Sequence, residues 1–72
     1  MRFAIVIERS ENGFAAYVPD LPGCVAAADT EEEARMLIRG AIEFHVEGMR
    51  ESGELLPEPT TRVEYVEVAA EM

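Results

Sequence analysis

Two prolines and one glycine fall within residues 19–23, inside Tyr17-Val18-Pro19-Asp20-Leu21-Pro22-Gly23-Cys24, and no regular strand or helix passes easily through them. Proline fixes φ and lacks a backbone donor, so Pro19 and Pro22 stop strand pairing and hold the chain on a preset path. Gly23 takes φ > 0 without steric cost and lets the chain turn sharply before Cys24. The stretch predicts a rigid loop built around Pro19, Pro22, Gly23 and Cys24. From physics alone it is a tight turn between two strands. A loop this stiff also suits a recognition surface or a dimer contact.

The segments around the loop set the fold. From Arg2 to Arg9 the residues alternate, with Phe3, Ile5 and Ile7 on one face, which is the period of a strand. Asn12-Gly13 is a hairpin signal, because both residues tolerate φ > 0. Phe14 to Val18 then returns antiparallel, and Cys24 to Ala28 forms a short third strand. Thr30 caps a helix, its hydroxyl accepting from a first-turn amide while Glu33 reaches back to the Thr30 amide. Glu31, Glu32 and Glu33 also favour the positive end of the helix dipole.

The helix is predicted from Glu31 to about Ser52, roughly 33 Å. Its helical period puts Ala34, Leu37, Ile38, Ala41, Ile42, His45 and Met49 on one face. Glu32, Met36, Arg39, Glu43, Glu47 and Arg50 fall on the other, with Arg39 and Glu43 spaced to pair. Gly53 offers a left-handed C-terminal cap, and Pro57 and Pro59 keep the helix from resuming. Arg62 to Ala69 reads as a last strand. The expected class is α+β: an antiparallel sheet with one long helix packed on one face, order β-β-β-α-β, as a single domain over residues 1–72.

Charge narrows the partners. Fifteen acidic residues oppose six basic ones, all arginine, for a net charge of −9 on 72 residues. Such a chain repels phosphate backbones and is steered toward basic partners, so direct nucleic-acid binding is not expected. The one cysteine excludes an intramolecular disulfide and fits a reducing compartment. No apolar run is long enough for a membrane span, and the N-terminus lacks a signal-peptide layout, so the expected location is cytoplasmic.

No catalytic constellation emerges. His45 has no acid, nucleophile or second ligand at a useful spacing and reads as a core or interface histidine. Cys24 has no basic neighbour in sequence to activate it. Asp20 and Asp29 read as a loop-ordering residue and the start of the capping segment. A small hydrolase using Asp20, Asp29 and His45 is the least favoured reading. Neither a metal nor a cofactor is expected. The last strand is apolar on both faces, through Val63 and Tyr65 on one side and Val66 and Val68 on the other. Those residues are either core or a homodimer interface.

Pro19-Asp20-Leu21-Pro22-Gly23-Cys24, then Asp29-Thr30, Glu32, Glu33 and Ala34, then Gly53, Pro57 and Pro59, resemble the N-terminal domain of HicB-type antitoxins. Ala28 departs from the pattern, standing where the family usually has glycine. The resemblance runs from Phe3 to about Val68 and implies a partly degenerate double-stranded-RNA-binding fold. It also implies a non-enzymatic protein that binds and neutralises a small basic HicA-type toxin that cleaves RNA. An acidic surface speeds encounter with such a partner and covers a surface that would otherwise attract RNA. On that reading the toxin-binding candidates are Asp20, Leu21, Glu31, Glu32, Glu43 and Glu47. Many such antitoxins carry a C-terminal DNA-binding domain; with the sequence ending at Met72, operator binding through this chain is not expected. Two alternatives stay open: an orphan homo-oligomeric domain of the same fold, and a direct RNA-binding module. The second is opposed by Glu31-Glu32-Glu33, where RNA contact calls for basic residues.

Overall fold

A computed structural model of the chain describes residues 1–70. Three strands, β1 (Val6–Ser10), β2 (Gly13–Tyr17) and β3 (Val25–Ala28), are followed by one helix, α1 (Glu31–Glu51). The sheet order is β1-β2-β3 with both pairings antiparallel. The Asn-Gly hairpin forms where the sequence places it, and Ser10 faces Gly13 across the turn. Gly13 has φ +149°, and a Cβ there would run into the Ala28 carbonyl oxygen, so glycine is required for two reasons.

The proline loop is two consecutive β-turns. Leu21 N donates to Val18 O at 3.1 Å and Cys24 N to Leu21 O at 3.1 Å, while Val18 N donates to Cys24 O at 3.2 Å to close the loop. Pro19 and Pro22 each occupy the second position of a turn, where φ near −65° is wanted and no donor is missed. Gly23, at φ +84°, supplies the positive φ that the third position of the second turn demands.

Both helix ends are closed by local chemistry. Thr30 Oγ1 accepts from Glu33 N at 3.1 Å. At the other end Glu54 N donates to Met49 O at 2.9 Å and Gly53 N to Arg50 O at 3.2 Å, with Gly53 at φ +74°. That pair of bonds is the Schellman arrangement.

The fully buried residues are Ala16, Val18, Leu21, Cys24, Ala34 and Ile38. Phe3, Ile5, Ile7, Ile42 and Val46 pack around them. Alanines at the contact, Ala16 on β2 and Ala34 on α1, let the helix lie close to the sheet. Of the six, only Leu21 and Ile38 are large fully buried side chains, so the core is small.

Two expectations are corrected. Regular pairing begins at Val6 rather than Arg2, because its partner Tyr17 is the last residue of β2 before the loop turns away. The fifth element, the strand over Arg62 to Ala69, does not form, and the order is β-β-β-α. With apolar residues on both of its faces, that segment has no single side whose burial fixes a register. It instead runs unpaired, with Val63, Tyr65, Val66 and Val68 exposed.

Candidate functional site

The expected site residues separate into a buried group, a tethering group and an open surface. Leu21 is 1% exposed and packs in the core, where its side chain supports the loop from beneath. Cys24 is buried beside it, and desolvation pushes its thiol pKa up, as expected of an unreactive packing residue. Pro19, Pro22 and Gly23 form the exposed rim of the loop.

Asp20 is occupied by the chain's own tail. Its Oδ2 accepts from Thr61 N at 3.1 Å, and its Oδ1 accepts from Thr61 Oγ1 at 2.9 Å and Thr60 Oγ1 at 3.4 Å. The Thr61 amide, with both threonine hydroxyls assisting, holds the Asp20 carboxyl below the ordinary carboxylate value. Sequence reasoning gave Asp20 a role in ordering its own loop. The partner it finds lies about forty residues away, where no local rule points.

The acids of α1 form the open surface. Glu31, Glu32, Glu43 and Glu47 are all exposed. Glu31 is engaged by Arg35 at 3.1 Å, one helical turn on, in the ion pair found among the described residues. The pair expected between Arg39 and Glu43 is not among them. Glu43 and Glu47 lie one turn apart in the C-terminal half of the helix and border an open groove with Met1, Phe3 and Arg50.

One residue on this surface escaped the sequence reading. Phe44 is 83% exposed, to one side of the stripe formed by Glu43 and Glu47. Gly40 and Gly48, one turn before and after it, have open space above them. Leu37, two turns before Phe44 on the same side, extends the apolar strip and is exposed. Two glycines inside an exposed helix each cost about 1 kcal/mol relative to alanine, and no neighbour within the fold occupies the space they leave. Phe44 flanked by glycines at i−4 and i+4 was the signal available in the sequence. The arrangement offers an aromatic knob beside acids, on a surface that a second backbone can approach closely.

Among the described residues no group of three His, Cys, Asp or Glu side chains is placed to hold a metal ion. No helix among them is long and apolar enough to cross a membrane.

A family model described as "HicB_like antitoxin of bacterial toxin-antitoxin system" matches residues 3–71. A 14.9 kDa protein of the rep-hol intergenic region of Haemophilus phage HP1 is 42% identical over 66 residues, covering 92% of this chain and 50% of that protein. Antitoxin HicB 2 of Photorhabdus laumondii is 36% identical, covering 97% of this chain and 51% of that protein. The chain thus spans about half the length of these two relatives. Among solved structures, a chain of a HicA3 and HicB3 toxin-antitoxin complex superposes with a TM-score of 0.70 at 27% identity, over 85% of this chain and 72% of that one.

Proposed function

This chain belongs to the HicB-like antitoxin family of bacterial toxin-antitoxin systems, and we propose that it binds and neutralises a small basic HicA-type toxin that cleaves RNA. The observation that carries the reading is the exposed side of α1, where Glu43 and Glu47 form one acidic stripe and Phe44 stands exposed beside it, on a chain of net charge −9. Acids guide a basic partner into place, and a desolvated aromatic anchor then slows its escape. The structural neighbour was solved as a toxin-antitoxin complex, which supports a protein partner of that class. Neutralisation by occupancy requires no chemistry from the antitoxin. The same acids oppose direct RNA binding, since Glu31, Glu32 and Glu33 stand at the helix start.

Asp20 and Leu21 leave the contact set, Asp20 because the tail engages it and Leu21 because it is buried. Glu32, Glu43 and Glu47 remain, joined by Phe44 and Leu37, with Glu31 at the margin. We place the action in the cytoplasm, consistent with the single free cysteine. Self-association is a second element of the reading, supported by the exposed apolar side chains between Val63 and Val68. The test is titration of the purified chain into an RNA-cleavage assay with a purified HicA-type toxin. Cleavage is expected to stop near equal stoichiometry, with apparent affinity falling as salt rises. Undiminished cleavage at a large excess of this chain would overturn the reading for that toxin.

A further inference from the structure

β1 is an edge strand, paired with β2 on one side and, among the described residues, with nothing on the other. Residues 2–5 continue the chain beyond that edge without a ladder partner. An open strand edge presents unpaired amides and carbonyls, and folded proteins ordinarily cover or charge it. The segment Arg62–Val68 has the complementary need. It is rich in valine with one tyrosine, the composition of strands. Its Tyr65 is 96% exposed, and Val66 and Val68 are nearly as bare.

The structure brings the two together without joining them. Asp20 holds Thr60 and Thr61 at the end of the sheet. From there Thr61, Arg62, Val63 and Glu64 form one wall of an open groove of about 610 Å³ whose other wall is Arg2, Phe3 and Ala4. No backbone hydrogen bond crosses between these walls among the described residues. The tail is anchored beside its own edge but does not pair with it.

We propose that the missing partner is a second copy of this chain: Arg62–Val68 of each copy adds as a fourth strand to the Arg2–Ser10 edge of the other, giving a two-fold symmetric dimer. Charge is compatible with this occupant: the edge carries Arg2 and Arg9 against Glu8, and the arriving tail carries Glu64 and Glu67 against Arg62, so a net positive edge meets a net negative strand. Length fits as well: a seven-residue strand spans about 23 Å, and the five residues of β1 together with the unpaired residues 2–5 that lead into it are long enough to receive it. Reciprocal exchange satisfies both edges with one contact type, as two-fold association requires, and pairs strands through main-chain hydrogen bonds. It would also bury Tyr65, Val66 and Val68, which a core with two large fully buried side chains has reason to recruit. The proposal rests on the self-association reading above and does not depend on the toxin.

The experiment is sedimentation equilibrium on the intact chain and on Val66→Pro, with far-ultraviolet circular dichroism to check that α1 is retained. Proline removes a ladder donor and blocks strand addition, while Val66 lies outside the core, so the variant is expected to fold. The intact chain is expected near twice its 8.0 kDa and the variant at 8.0 kDa, with the same helical signal. A second readout mixes isotope-labelled and unlabelled chains, where cross-copy contacts should join Val63 and Tyr65 to residues 2–5. A monomeric intact chain would overturn both self-association and strand exchange. A dimer that survives Val66→Pro, or lacks those contacts, would overturn strand exchange alone.

Discussion

Asp20 and Thr61 are joined twice: the aspartate accepts from the threonine amide through Oδ2 at 3.1 Å and from its hydroxyl through Oδ1 at 2.9 Å. A loop that turns the sheet thereby also decides where the chain goes after the helix. Because the folded carboxyl is harder to protonate than an ordinary aspartate of pKa 3.8, the tether is complete above that value. It is lost as pH falls through the lower folded value. The Thr61 amide resonance should report this, with a midpoint below 3.8. Asp20→Asn should shift Thr60 and Thr61 at neutral pH and leave α1 intact.

Leu21 should behave oppositely to its neighbour. Fully buried between the two turns, it loses packing on every side when truncated. Leu21→Ala is expected to cost about 2–5 kcal/mol, a large share of the stability of a domain this small. Urea unfolding measures it, and a change under 1 kcal/mol would mean that the loop does not seal the core.

Glycine replacements should rank by what surrounds them. Gly23 and Gly53 have positive φ with open space around, so alanine there should cost about 1 kcal/mol. Gly13 combines positive φ with the Ala28 carbonyl against its Cα, so Gly13→Ala should be the most destabilising of the three. Thermal midpoints of the three variants give the order.

Phe44 separates stability from binding. Its ring lies outside the fold, so Phe44→Ala should change unfolding free energy by no more than about 0.5 kcal/mol. If it anchors the toxin, the same variant should bind at least about ten-fold more weakly. Calorimetry on a purified HicA-type toxin tests this, and unchanged affinity would remove Phe44 from the interface.

What the sequence made legible was local. Asn12-Gly13, Thr30 with Glu33, and Gly53 each act within a few residues, and each does what its chemistry predicts. The burial of Leu21 was not legible, because turn residues usually face solvent. Between two consecutive turns, ending one and starting the next, it points inward. Leu37 was assigned to the core because the apolar face was drawn too wide; the buried arc is narrower and follows Ala34, Ile38, Ile42 and Val46. The last strand was readable as strand chemistry in Val63 to Val68. Whether an edge receives it depends on tertiary placement and on other molecules, and neither is encoded in period or propensity.

The most direct measurement is the affinity of Glu43→Lys with Glu47→Lys for a HicA-type toxin, at low and moderate salt. Both acids are exposed and outside the core, so the double variant should keep its helical signal. The account predicts binding weakened by about ten-fold or more at low salt, a smaller salt dependence than the parent, and toxin cleavage of RNA restored at equal stoichiometry. Parent-like affinity and salt dependence would contradict it and place the toxin on another face.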